Sequence, residues 1–188
     1  SENQIAEAKN LAKASNLDIN FFVSPAEKID FPKNTFDVIP ACQCIPYFNH
    51  KETAPLFAKI LKKGGSFLIL YMGFLPFEDK LVDASEKRVL KYNPYWSGYG
   101  DTKNPIRIPD EYKEFFEIVY TNEFDVKVPF TRESWHGRMR ACRGVGASMT
   151  KDVLALWDKE HKKMLESSAG EKFFVSHYIA VAQLKVKK

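Results

Sequence analysis

The sequence is poor in the features that mark secreted, membrane-spanning and zinc-binding proteins. No apolar run in its 188 residues approaches the roughly 18 needed to cross a bilayer, and Ser1 opens a polar segment rather than a signal peptide. The three cysteines, two of them in Cys42-Gln43-Cys44, are too few for a disulfide framework and lack a second ligand pair for zinc. We therefore expect a cytoplasmic chain of one domain with no metal site.

Charge and glycine patterns exclude further classes. The net charge of +4 is mild and its Lys and Arg residues are spread along the chain, so nucleic-acid binding has little support. The nine glycines include neither a G-x-x-x-x-G-K-[ST] phosphate loop nor a G-x-G-x-x-G fingerprint. A P-loop nucleotidase and an NAD-dependent enzyme are both disfavoured on that ground.

The most informative stretch is residues 35–72. An apolar strand at 36–41, a helix at 53–62 and a second apolar strand at 66–72 predict a βαβ unit whose strands are adjacent, parallel and joined by a right-handed crossover. Ligands of such sheets bind at the carboxyl ends of the strands. Residues 41–48, just past the first strand, are therefore the predicted site.

Local signals predict the remaining elements. Caps and helical spacing of apolar residues favour five more helices, and apolar runs favour three more strands. The predicted helices run from Ser1 to about Asn16, over 79–91, over 109–116, from Thr131, and from Thr150 to about Gly170; the predicted strands are 19–23, 119–129 and 172–187.

The central stretch combines a strand-and-loop motif with a glycine-ended helix, formed by Phe36, Asp37, Ala41, Gln43, Tyr47, Phe48 and the run Leu61-Lys62-Lys63-Gly64-Gly65. In these residues the chain resembles the class I S-adenosylmethionine (SAM)-dependent methyltransferases, in particular a small-molecule, trans-aconitate-methyltransferase-like branch. The resemblance implies an α/β fold with a Rossmann-like, open, mostly parallel twisted sheet and a closing strand inserted antiparallel. Residues 1–72 and 171–188 would form the sheet core, and residues 73–150 an α-rich lid on the substrate side.

The same resemblance implies the cofactor and its contacts. SAM would be the methyl donor and S-adenosylhomocysteine the product, with a small molecule as acceptor. The expected cofactor-binding residues are Ser24, Pro25, Ala26 and Glu27 on the adenine side and Ala41 and Gln43 on the methionine side.

The expected substrate-binding residues are Tyr47, Trp96, Trp135 and Arg138, since aromatic rings cover substrates and Arg grips a carboxylate. His136 and Tyr99 are weak candidates for a catalytic base, which is needed only if the acceptor must lose a proton. The alternatives are that the aromatic rings pin a long loop to the core, that most of the Arg side chains are solvated or paired with acids of the preceding segment, and that His136 is merely packed or exposed. We also expect Gln43 and Tyr47 to line the largest cleft, together with residues 95–99 or the helix around Trp135.

One element of the family is not in this sequence. The D/E-x-G-x-G loop that grips the cofactor is missing, and the opening segment resembles the helix after the family's second strand. The chain is therefore expected to be part of a longer protein or a reduced relative, and to bind SAM weakly by itself. The second hypothesis is a non-catalytic scaffold or interaction module, including a homodimer that covers an exposed sheet edge.

Overall fold

One four-stranded sheet organises the chain. The structure is a computed structural model that describes residues 1–187. The strands are β1 (Phe36–Cys42), β2 (Leu61–Phe74), β3 (Phe116–Thr131) and β4 (Lys172–Val186), in the spatial order β1–β2–β4–β3. β1 and β2 pair in parallel, whereas β4 is antiparallel to both β2 and β3. The α/β class with a single open sheet and an inserted antiparallel closing strand is confirmed.

The predicted βαβ unit is present, with β1 paired along its length to the first part of β2. Ala41 of β1 lies beside Ile69 of β2, and the helix α2 (His50–Ile60) connects the two strands. Phe57 and Ile60 of α2 are buried against the sheet. The prediction that these two apolar strands are adjacent and parallel is therefore confirmed.

Five further helices surround the sheet, and four of them begin at a side-chain cap. They are α1 (Glu2–Ala14), α3 (Lys80–Tyr92), α4 (Asp110–Phe115), α5 (Arg132–Arg140) and α6 (Lys151–Ser168). The capping side chains of Ser1, Asp79, Thr131 and Thr150 accept hydrogen bonds from first-turn backbone N–H groups. Each satisfies a donor that the helix itself leaves unpaired.

Two large apolar cores and one small cluster make up the interior. The first core packs α2 and α4 against the sheet around Phe57, Phe67 and Tyr112. The second packs α3, α5 and α6 together around Trp135 and Trp157. The segment 73–150, expected to form a lid, supplies β3 to the sheet and two helices to the second core.

The predicted strand at 19–23 is wrong. These residues lie outside the sheet, and Ile19, Phe22 and Val23 are each about half exposed. An apolar run becomes a strand only where a neighbouring strand accepts its hydrogen bonds, and among the described residues β1 pairs with β2 alone. The parallel character expected of the sheet is likewise limited to that one pair.

No helix within residues 1–187 is both long enough and apolar enough to span a membrane.

Candidate functional site

A cleft of about 460 Å³ lies at the carboxyl end of β1, where the sequence predicted the site. The loop after β1 forms one wall, the middle of β2 forms the floor, and the segment 104–107 forms the opposite wall. Its lining residues are Gln43, Ile45, Pro46, Tyr47, Ile69, Leu70, Tyr71, Asn104, Pro105, Ile106 and Arg107. Gln43 and Tyr47 therefore share one cleft, as expected.

Gln43 adopts an unusual backbone conformation at this position. Its φ of 53° lies in the left-handed region, which costs a non-glycine residue roughly 1–2 kcal/mol. Two hydrogen bonds hold it there: its backbone N donates to Leu70 O at 2.9 Å, and its Nε2 donates to Met72 O at 2.7 Å. The loop after β1 is thereby tied to β2, and strain of this kind is typical of a functional loop.

The segment expected on the adenine side lies next to this loop. Ala26–Lys28 forms a 3₁₀ turn, and Glu27 Oε1 accepts a hydrogen bond at 2.8 Å from the backbone N of Asn49, the residue before α2. That bond holds the pKa of Glu27 below its ordinary value. Ser24 and Pro25 are exposed beside the turn. Ala41, in contrast, is buried in the first core and does not line the cleft.

Tyr71 and Arg107 belong to the cleft although the sequence did not single them out. The Tyr71 hydroxyl donates to Asp101 Oδ2, and burial raises the pKa of this phenol. The alternation of side chains along β2 could have placed Tyr71 beside Ile69 on one face. Arg107 carries no such signal, since it lies in an irregular segment that only the tertiary fold brings to the cleft.

The aromatic residues of 95–99 do not reach the cleft. The Trp96 ring lies against the backbone of Gly144, where even a Cβ would clash, and packs on the second core. The Tyr99 hydroxyl donates to Asp83 Oδ1 at 3.1 Å, while Tyr95 is 96% exposed. These contacts favour the alternative in which the rings pin a loop, and they remove Tyr99 from the neighbourhood of the predicted site.

The residues predicted on α5 lie elsewhere as well. Trp135 is fully buried, and its Nε1 donates to Ser85 Oγ at 3.0 Å. The Arg138 guanidinium lies 5.2 Å from the ring centre of Phe74. The expectation that Gln43 shares its cleft with residues 95–99 or with the helix around Trp135 is wrong, because none of these residues lines the cleft.

His136 is held in a buried polar chain rather than poised as a base. Its Nδ1 lies 2.9 Å from Nδ1 of His161, and its Nε2 lies 3.1 Å from Asp158 Oδ1. Burial lowers the pKa of His136. A cavity of about 750 Å³ opens beside it between α5 and α6, so the expectation that Gln43 lines the largest cleft is also wrong.

Part of the sequence matches a known protein family. Residues 1–69 match the sequence profile of a family described as "Methyltransferase domain", a segment that includes the Glu27 turn, β1 and the Gln43 loop. No curated protein matches the chain significantly.

A solved structure shares the fold over most of this chain. A candidate type II methyltransferase from Anaeromyxobacter dehalogenans is 16% identical, with a TM-score of 0.55, over 87% of this chain and 70% of that one. A candidate methyltransferase from Bacillus halodurans is 15% identical, with a TM-score of 0.49, over 98% of this chain and 79% of that one. At 16% identity, the similarity to the Anaeromyxobacter dehalogenans structure establishes the fold and does not establish a function.

Proposed function

We propose that the chain takes part in SAM-dependent methyl transfer to a small molecule, on the pattern of the small-molecule branch that its sequence resembles. The observation that carries the proposal is the place of the residues that match the methyltransferase profile. They put the Glu27 turn and the strained Gln43 loop next to each other at the carboxyl end of β1. Ligands of parallel sheets bind at such ends.

The cleft suits part of such a ligand. Its volume of about 460 Å³ lies within the range of small-molecule sites, roughly 300–1,000 Å³. The Gln43 amide donates to Met72 O and leaves Oε1 without a hydrogen-bond donor among the described residues, so that oxygen is available to a ligand. Apolar side chains such as Ile45 and Ile106 exclude water around it.

Methyl transfer requires little from the protein other than holding the donor and the acceptor in line and excluding water. When bound, SAM would supply a methyl group activated by its positively charged sulfur; the acceptor would bond to the methyl carbon as the carbon–sulfur bond breaks and S-adenosylhomocysteine leaves. The Gln43 loop orients the donor, and the apolar walls keep water from competing as acceptor. The phenol of Tyr71, whose raised pKa keeps it protonated, acts as a donor to Asp101 and not as a base.

Titration with S-adenosylhomocysteine tests this proposal without any need for turnover. Because the 188 residues hold no D/E-x-G-x-G loop, we expect weak binding, with a dissociation constant above the micromolar range. Binding should appear as backbone NMR shifts confined to residues 24–27 and 41–47. Gln43→Ala should weaken those shifts, while Gln4→Ala, the same change on the exposed α1, should leave them intact. Absence of any localised shift at millimolar ligand would contradict the proposal and favour a non-catalytic scaffold.

Two finer expectations belong to the same proposal. The outer edge of β1 has no strand partner among the described residues and carries the half-exposed Val38, which supports a homodimer that covers this edge. Sedimentation velocity across a concentration series would show or refute a dimer. A cytoplasmic location is supported by the three cysteines, all of which are unpaired.

A further inference from the structure

The cleft has one charged side chain among its described lining residues, that of Arg107. Arg107 is exposed, and no carboxylate within residues 1–187 lies at ion-pair distance from it. Arg138, the cation that the sequence favoured for an anionic acceptor, instead lies over Phe74 and contacts Cys142 Sγ at 3.4 Å. The guanidinium of Arg107 is thus the cation available to a ligand in this cleft.

The remaining walls are suited to a hydrocarbon. Ile45, Pro46, Ile69 and Ile106 supply apolar surface, and the ring of Tyr47 adds an aromatic face that is 77% exposed. An apolar body bound here loses water from both surfaces, and a single anionic group at its end would meet Arg107. A planar guanidinium binds a carboxylate through two parallel hydrogen bonds.

We infer that Arg107 is the specificity-determining residue for an acceptor that combines an apolar or aromatic body with one carboxylate. This inference deepens the proposed function and rests on it. Two ligands could bring a carboxylate to Arg107: the acceptor and the methionine end of SAM. The methionine end also carries an ammonium group, and no acidic residue lines this cleft to neutralise its positive charge. Asp101, which is not among the lining residues, accepts from the Tyr71 hydroxyl. The acceptor is therefore the source that fits.

A matched pair of probes isolates the charge. The probes are 3-phenylpropionate and its neutral amide, 3-phenylpropionamide, each titrated into the full 188-residue chain by calorimetry and followed by NMR at Gln43 and Tyr47. The variants are Arg107→Gln, Arg107→Lys and, as a control with the same loss of charge, Arg143→Gln. Arg143 is exposed on the turn after α5 and does not line the cleft.

The expected result is a preference of about tenfold for the carboxylate over the amide in the wild type, lost in Arg107→Gln and kept in Arg143→Gln. Arg107→Lys keeps the charge but loses the paired geometry, so it should retain part of the preference. Equal affinity for the two probes in the wild type, no binding of either, or an unchanged preference in Arg107→Gln would each overturn the inference.

A parallel titration with S-adenosylhomocysteine separates the possible failures. If Arg107→Gln weakens that ligand but leaves phenylpropionate unaffected, Arg107 serves the cofactor and the inference is wrong while the proposed function stands. If the carboxylate preference depends on Arg107 but the wild type shows no shift with S-adenosylhomocysteine, the proposed function fails and the carboxylate site remains.

Discussion

Acid should destabilise this fold through the buried histidine pair between α5 and α6. The two Nδ1 atoms of His136 and His161 lie 2.9 Å apart, so one must carry a proton and the other must accept it. Since Nε2 of His136 faces Asp158, the consistent arrangement has His161 donating and its own Nε2 bare. That Nε2 is buried and has no hydrogen-bond partner among the described residues. A second proton on His161 would therefore be buried without an acceptor.

The sign and size of the change in the free energy of unfolding follow from the linkage between protonation and folding. Burial lowers the pKa of His161 to about 3, and the nearby His136 and Arg88 act in the same direction. In the unfolded chain a histidine titrates near 6.5, so below that pH the unfolded state takes up a proton that the folded state refuses. The stability that the neutral, buried His161 contributes is fully present above pH 6.5 and is lost progressively as the pH falls below it. At pH 5, 1.5 units lower, His161 alone should remove about 2 kcal/mol.

Urea denaturation at pH 7.5 and pH 5 measures this loss. His161→Phe keeps a ring that can stack on Trp157, as His161 does at 4.7 Å between ring centres, but it cannot titrate. The wild type should lose about 2 kcal/mol more than this variant between the two pH values. Lys159→Gln, an exposed change on the same helix, should keep the wild-type difference. Parallel losses in the wild type and His161→Phe would refute the reasoning.

Three further outcomes can be checked by denaturation. Gln43→Gly should be more stable than Gln43→Ala by roughly 1 kcal/mol, because both lose the bond to Met72 O but only glycine adopts φ of 53° without strain; equal stability of the two variants would contradict the strain argument. Burial raises the pKa of Glu86 to about 7, so the free energy of unfolding of the wild type should fall as the pH rises from 4.5 to 7. At pH 8 the Glu86→Gln variant should be more stable than the wild type by on the order of 1–2 kcal/mol, and equal free energies of unfolding would contradict this. The buried hydroxyls of Tyr112 and Thr53 form a hydrogen bond of 2.6 Å. Thr53→Val leaves the Tyr112 hydroxyl buried without that partner, so it should lower the free energy of unfolding by roughly 1–3 kcal/mol, whereas Tyr112→Phe should lower it by roughly 1 kcal/mol.

Helix starts could be predicted from the sequence because their physics is local. Ser1, Thr131 and Thr150 each cap a helix as expected, since the donor that a cap satisfies lies within three residues of it. The parallel pairing of β1 and β2 was accessible for a similar reason, because a short crossover helix leaves few other arrangements.

The failures share a different cause, which is dependence on distant partners. The apolar run at 19–23 has no strand beside it among the described residues, and nothing within the run reveals that. Trp135 and Arg138 lie on a helix whose sequence fits a substrate-binding role, yet the packing of α3 and α6 turns the former inward. Arg107 was missed because its place opposite Gln43 depends on the path of a whole segment between β2 and β3.

The central position of β4 has a consequence for how the protein is made. β4 lies between β2 and β3, yet it leaves the ribosome last, about 100 residues after β2 and roughly 5–20 s later at ordinary rates of synthesis. Until then β2, with its buried Phe67 and Ile69, has one open edge, and β3 has no described partner strand. We therefore expect the nascent chain to be prone to aggregation over that interval, and a product that ends before Lys172 to be degraded because its sheet lacks the central strand.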